Sequence, residues 1–330
     1  MIQKSLTILL VVLLSGCGLM ERIRPAEETP ESTPVPTPAV DPQAEKEARI
    51  YQSMHSEEIQ KLTEQITEKP SAEAYGKRGD AYYAIAKAED FYDAYVSARK
   101  DYEMVYFFGA SLEDYKNNLA GCYQAEADKA AEEKNLDVQS DWLERMSILS
   151  PSKHTSQILL GIYQEIDKEN ANQENRHDYY DDEGNPDGYL ITKYDENGKA
   201  FEMNTYNNDD ELVDTFTGFE YDDNGLSVIN GLCDMDLKFT VFQKYERDEY
   251  GIQRGLVVCD LKTGKELERT EIEYDELGRP SGFSLINLQS GKVSQTTEYL
   301  YDAESICTGA DVYDGEGNLI THLDFTEEKQ

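Results

Sequence analysis

The 330 residues carry 67 acidic and 31 basic side chains, a formal net charge of -36 with histidine neutral. Nucleic-acid affinity rests on cations that neutralise phosphates, so a surface this acidic excludes DNA and RNA as partners. Hydrophobic residues still make up 39% of the chain and tyrosine alone contributes 23 residues. That is enough for one or two ordinary cores, and it marks a folded acidic protein rather than an acidic tail.

At the start, Met1 and Lys4 precede an apolar run from Leu6 to Leu14, broken only at Thr7 and followed by Ser15-Gly16-Cys17. A transmembrane helix needs roughly 20 apolar residues, about twice this run, so the segment is a targeting signal rather than a span. Leu14-Ser15-Gly16-Cys17 resembles the lipobox of bacterial lipoproteins. The resemblance implies a signal peptide over residues 1–16, a mature chain beginning at Cys17 with a lipid such as palmitate on it, and a place on the extracytoplasmic face of the cell membrane. The other reading is an ordinary secretory signal in which Cys17 is incidental. Two acyl chains, at about 0.8 kcal/mol per buried methylene, anchor a protein without help from a basic patch.

Residues 17–44 read as a stalk. Pro25, Pro30, Pro34, Pro36, Pro38 and Pro42 lie here among Glu, Thr, Ser and Ala. Such a stretch forms no helix or core and favours extended polyproline conformations, at about 3.1 Å per residue.

From 45 to 175 the chain loses Pro and Gly, and apolar residues recur at helical spacing. Phe91, Ala94, Tyr95, Ala98, Tyr102 and Val105 share one helix face, with Phe108 close behind and Gly109 ending the helix. Ser111-Leu112-Glu113-Asp114 is a capping-box signal for a further helix that buries Leu112, Tyr115, Leu119 and Tyr123. Ser71 after Pro70 is a similar start, and Ser150-Pro151 a stop.

Two blocks here resemble the tetratricopeptide repeat. Tyr75, Gly79 and Tyr82 match its first helix and Ala98, Tyr102 and Val105 its second; Leu119, Ala120 and Tyr123 then open a second block that Trp142, Met146, Leu149 and Pro151 close. Leu160-Gly161 with Tyr163 begins a third. Both intervals between helices are about seven to ten residues longer than the 34-residue repeat. The resemblance implies stacked antiparallel helices with a concave surface for a protein or peptide.

Residues 176–330 alternate polar and apolar positions around a recurring Tyr-Asp-x-x-Gly. It occurs at Tyr180-Asp181 with Gly184, Tyr194-Asp195 with Gly198, Tyr221-Asp222 with Gly225, Tyr274-Asp275 with Gly278 and Tyr313-Asp314 with Gly317. Tyr206-Asn207 and Tyr301-Asp302 lack the Gly. Physically each is a strand ending in Tyr, an Asp that bonds the turn backbone, and a Gly that takes positive φ. Lys262-Thr263-Gly264-Lys265 and Gln289-Ser290-Gly291-Lys292 are further turns, beside strand-like runs Leu256 to Asp260 and Val293 to Tyr301. The pattern resembles the YD repeats of Rhs-type bacterial surface proteins, at irregular spacing. The expected fold class is α+β in two domains, helices followed by an up-and-down antiparallel meander that forms an open curved sheet.

Chemistry is sparse. His55, His154, His177 and His322 lie in no metal or nucleophile motif, and there is no Gly-rich phosphate loop. Cys122, Cys233, Cys259 and Cys307 show no zinc spacing; Cys233 and Cys259 are the pair to expect in a disulfide, buried free thiols being the alternative. The acidic turn Asp181 to Gly188 has the composition of a calcium loop without its order. No catalytic residue, metal or cofactor is therefore assigned. The expected function is a lipid-anchored binding module for a protein or peptide, basic by complementarity, without catalysis. An exported carboxylate-dependent glycan hydrolase and a glycan-binding surface protein are the alternatives.

Overall fold

The computed structural model describes residues 42–180, 186–234 and 236–326. Cys17, the signal segment, the proline stretch up to residue 41 and the acidic turn residues 181–185 lie outside the described residues. The chain divides into two compact units between Asp128 and Lys129.

The first unit opens with α1 (Pro42–Met54), so the last stalk residues, Pro42 to Ala44, are helical. Pro suits a first helical position because its missing N–H is unpaired there anyway. Next come α2 (Glu57–Glu68), α3 (Ala72–Glu89), α4 (Tyr92–Phe107) and most of α5 (Lys116–Glu132). The Ser71 hydroxyl accepts from the Ala74 amide (3.3 Å), as its position before the helix predicts. In contrast, Ser111 Oγ takes the Glu113 amide two residues on (3.2 Å), so this expected cap makes a local turn and the helix starts only at Lys116. Helices α3 and α4 pack through fully buried Ala74, Ala86, Ala94 and Ala98 around Tyr102 and Val105. Leu112, Leu119, Cys122 and Tyr123 complete this core.

The second unit contains α6 (Leu136–Leu149) and α7 (Lys153–Asn170), capped by Asn135 and Ser152, and then only strands. Strands β1 (Glu174–Tyr180), β2 (Pro186–Tyr194), β3 (Ala200–Tyr206) and β4 (Leu212–Phe216) form one sheet in sequence order. A second sheet of nine strands comprises β5 (Glu220–Tyr221), β6 (Ser227–Cys233), β7 (Phe239–Arg247), β8 (Gln253–Asp260), β9 (Glu266–Tyr274), β10 (Pro280–Asn287), β11 (Lys292–Tyr301), β12 (Cys307–Asp314) and β13 (Leu319–Asp324). Every strand pairs antiparallel with its sequence neighbour within its sheet, the meander that turn-separated strands predict, but split into two sheets rather than one. Leu190, Met203, Phe216, Cys233 and Phe239 form a core cluster.

The turns are far more regular than their sequence. Asp195, Asp222, Asp248, Asp275 and Asp302 recur every 26 or 27 residues at one end of the strands, and Asn207, Asp234, Asp260, Asn287 and Asp314 do so at the other. Asp275 Oδ1 accepts the amides of Leu277 and Arg279, both at 2.9 Å, and Asp195 accepts those of Asn197 and Lys199 likewise. Asp210, Leu237 and Ser305, three residues after their Asx partners, adopt the positive φ (58° to 63°) that glycine takes elsewhere. The sequence spacing is irregular because these three copies lack the Gly and four copies lack the Tyr, with Cys233, Arg247, Cys259 and Ile286 in its place.

The tyrosines have their own repeating role. Tyr221, Tyr274 and Tyr301 each donate their hydroxyl to a carbonyl 21 residues earlier, those of Ala200 (3.0 Å), Gln253 (2.7 Å) and Pro280 (2.7 Å). Each hairpin is thereby stitched to the one before it.

Candidate functional site

In the helical unit, tyrosine rings rest on glycines of neighbouring helices. A Cβ added at Gly79 would lie 2.8 Å from the Tyr102 ring, and Gly76 and Gly121 are similarly covered by Tyr115 and Tyr83. Small residues let helices approach closely, which explains why Gly interrupts these helices at all. Charges are also drawn inward. Arg99 pairs with Glu103 (2.9 Å) and Glu126 (2.7 Å), and Arg78 clasps Asp101 through two bonds of 2.7 and 2.8 Å. Removing one partner of such a buried pair costs about 3–5 kcal/mol, so these residues hold the unit together rather than await a ligand.

What the unit leaves outside is aromatic. Phe108, placed on the buried stripe by its spacing, is instead 45% exposed and stacks on Tyr75 at 5.6 Å, with Phe107 39% exposed beside it. The helix ends at Phe107 and the chain turns at Gly109 with φ +70°, which carries Phe108 off the packed face. Exposed rings on a strongly charged surface are the residue type that anchors protein interfaces.

In the second unit, helices α6 and α7 meet the turn row of the sheets. The Tyr163 hydroxyl on α7 donates to the Glu144 carboxylate on α6. Burial raises the Glu144 pKa, while this bond and the charges of Arg145 and Arg247 pull it back. One turn earlier on α6, Asp141 is pushed up to about 7, by burial first and then by the Glu144 charge. Gly278 in the β9–β10 turn comes so close to α6 that a Cβ there would lie 2.5 Å from the Arg145 carbonyl. Gly198 in the β2–β3 turn presses on the Asp167 carbonyl of α7, and Lys199 pairs with the Asp167 carboxylate. The turn glycines thus take positive φ and also admit the helix backbone.

Asp141, Glu144, Tyr163 and Arg247 escape a reading of the sequence, where carboxylates are everywhere. The signal that finds one of them is repetition. Arg247 occupies the tyrosine position of its repeat, donates to the Ser227 carbonyl (2.6 Å) as the tyrosines do, and adds a charge that favours ionised Glu144.

The expected Cys233–Cys259 disulfide is not formed: both thiols are free and buried, as is Cys122. Cys233 lies on β6 and Cys259 on β8, with β7 between them. Two strand spacings of about 4.8 Å exceed the Cα separation that a disulfide spans. Instead, Cys233 Sγ meets the Tyr179 hydroxyl at 3.3 Å, and the half-buried Cys307 thiol donates to the Gly309 carbonyl at 3.6 Å. Burial raises the Cys122 pKa to about 12, which makes that thiol inert. Among the histidines, His55 stacks on Tyr51, His177 meets Tyr179 edge-on and His322 bonds Asp311 at 2.7 Å. Among the described residues no group of three His, Cys, Asp or Glu side chains could hold a metal ion, and no helix is long and apolar enough to cross a membrane.

No family model matches the chain, and no curated protein matches it. Among solved structures, a Photorhabdus luminescens Tc holotoxin pore is 11% identical over 45% of this chain and 9% of that chain, with a TM-score of 0.24. A TcdB2-TccC3-TEV crystal structure is 12% identical over 44% and 13%, at 0.15, and a Dos1 propeller is 8% identical over 47% and 63%, at 0.21. This chain therefore spans less than two thirds of each of them, and at these scores the likeness does not reach a shared fold.

Proposed function

We propose that this protein is a lipoprotein held on the extracytoplasmic face of the cell membrane by a lipid on Cys17, and that it binds a protein or peptide without catalysing a reaction. The Phe108–Tyr75 stack with exposed Phe107 carries the binding reading, because it is an aromatic anchor on an acidic helical unit. Leu14-Ser15-Gly16-Cys17 carries the anchor. The α3–α4 hairpin, with Tyr102 over Gly79, supports a tetratricopeptide-like stack, and the 26- and 27-residue turn rows support YD-type hairpins. A net charge of -36 favours a basic partner.

Two measurements test this. Metabolic labelling with a clickable fatty acid should mark the wild type and not Cys17→Ala; equal labelling removes the anchor. A pull-down from solubilised membranes should lose its partner with Phe107→Ala/Phe108→Ala while the melting temperature stays unchanged, and unaltered capture removes the aromatic surface.

The raised Asp141 beside Glu144 favours a second reading, a carboxylate-dependent glycan hydrolase in which Asp141 is the proton donor. Turnover of a glycan by the wild type and not by Asp141→Asn would put this reading in place of the first.

A further inference from the structure

Four strands end the two sheets. β5 has only two residues, and β4 lies against β7, where the Asp214 carboxylate takes the Phe239 amide at 2.8 Å. β1 bears charges of both signs, with Arg176 paired to Asp178 (2.7 Å) and stacked over Tyr189 at 3.6 Å. Charged side chains blunt an edge against further pairing. β13, sequence Leu-Ile-Thr-His-Leu-Asp, has no Lys, Arg or Pro, and its Leu319 and Ile320 are 58% and 49% exposed.

Among the described residues β12 is its one strand neighbour, and its other side presents backbone groups. The Phe325 amide donates to the Thr308 carbonyl on β12 (2.9 Å). Antiparallel bonding alternates along a strand, so the amides and carbonyls of His322 and Asp324 point away from β12. The two faces that meet at this edge differ. On one, Glu273, Gly282, Glu298, Asp311 and His322 stand opposite one another in unbroken register across five strands, an acidic row that ends in the Asp311–His322 pair (2.7 Å) with Asp324 beside it on β13. On the other, Ile272, Phe283, Thr297, Val312 and Thr321 form the corresponding row, with Leu323 opposite fully buried Ala310.

We propose that β13 accepts an extended peptide as a tenth strand of the nine-stranded sheet, one that alternates basic residues on the Asp311–His322 face with apolar residues on the Leu323 face. Main-chain hydrogen bonds supply the affinity and the two faces supply the selection. A second copy of this chain is a poor occupant, since its own β13 would bring a further acid, Asp324, and another net charge of -36. β13 belongs to the second unit, Phe107 and Phe108 to the first.

The test uses the intact chain and a ten-residue synthetic peptide of alternating Lys and Val, followed by calorimetry. Three comparison peptides or variants give it force: a Glu/Val peptide, a Lys/Val peptide N-methylated at alternate residues, and His322→Pro, which removes an outward amide and is read against His322→Ala, since both lose the bond to Asp311. The Lys/Val peptide should bind at least about tenfold more tightly than each of the other two peptides, and His322→Pro should weaken it by about tenfold. Asp311→Lys, which leaves the edge backbone alone, should reverse the preference between Lys and Glu peptides. Phe107→Ala/Phe108→Ala should leave the binding unchanged, so failure here is distinct from failure of the helical surface. Equal binding of the N-methylated peptide would reduce the interaction to charge alone, and a dimer that His322→Pro dissociates would make a second copy the occupant; either overturns the proposal.

Discussion

The Arg247 guanidinium donates to the Ser227 carbonyl at 2.6 Å, the bond that a tyrosine hydroxyl makes in three other repeats. The carbonyls that accept from tyrosine belong to Ala200, Gln253 and Pro280, the first residues of β3, β8 and β10, and loss of a donor removes that hydrogen bond. Tyr274→Phe and Tyr301→Phe should therefore each destabilise by about 1–2 kcal/mol in a denaturant titration. Arg247→Tyr keeps the donor and should cost less than Arg247→Ala. A smaller loss for Arg247→Ala than for Arg247→Tyr would mean that the bond to Ser227 is not what the position supplies.

Ser305 sits at φ +63° in a turn where Gly198, Gly225, Gly278 and Gly317 occupy the matching position, and its buried hydroxyl has no hydrogen-bond partner. Ser305→Gly removes backbone strain and an unsatisfied group together, and should stabilise by about 1 kcal/mol. Gly278→Ala should do the reverse. It adds a Cβ at φ +73° that lies 2.5 Å from the Arg145 carbonyl, so the α6 contact must open, at a cost of about 2–4 kcal/mol. Gly264→Ala, at φ +68° with open space around it, isolates the backbone part at about 1 kcal/mol. Equal losses at Gly278 and Gly264 would show that the close approach to α6 has no energetic weight.

The order of helices then antiparallel strands was legible because it depends on local rules: apolar spacing for α4, Ser71 and Ser150-Pro151 for helix ends, Asx and Gly for turns. What escaped depends on partners distant in sequence. The 27-residue rhythm hides behind Arg247, Cys233, Leu237 and Ser305, each of which replaces a residue that a pattern requires while its neighbours still enforce the geometry. Asp141 and Glu144 look like any other acids until α7 and β7 surround them. Phe108 fits a helical stripe by number, yet the helix stops one residue before it.

The composition change near 170–178 predicts a joint that a protease cuts first. In the structure this stretch is tied down: the Asn172 amide donates to the Asp195 carbonyl (2.9 Å) and the Tyr194 amide to the Gln173 carbonyl (3.1 Å), while Gly198 presses on α7. Cleavage needs local opening of the backbone. Limited proteolysis followed by mass spectrometry should therefore leave α6 and α7 attached to the strands, with residues 170–178 uncut. An early fragment that begins between 170 and 178 would place the boundary at the composition change instead.

Stability should depend on pH through Asp141. Its carboxyl, ordinarily near 3.8, is pushed up to about 7 in the folded protein by burial and by Glu144, and the Glu144 pKa is raised in the same direction. A group whose folded pKa exceeds its unfolded one binds its proton more tightly when folded. Its contribution is therefore complete below about pH 4 and is lost as pH rises through 7. Other acids in this chain push the same way through mutual repulsion, so the wild-type slope alone does not isolate the site. Asp141→Asn does, because the amide keeps the shape of the neutral carboxyl and never ionises. Melting curves should converge near pH 4, separate progressively between pH 4 and 7 and stay parallel above pH 7, with the variant the more stable by about 1–2 kcal/mol at pH 8, a figure reduced for the solvent that reaches a half-buried side chain. If wild type and Asp141→Asn keep a constant separation from pH 4 to pH 8, Asp141 does not titrate in that window and its burial beside Glu144 carries no pH dependence.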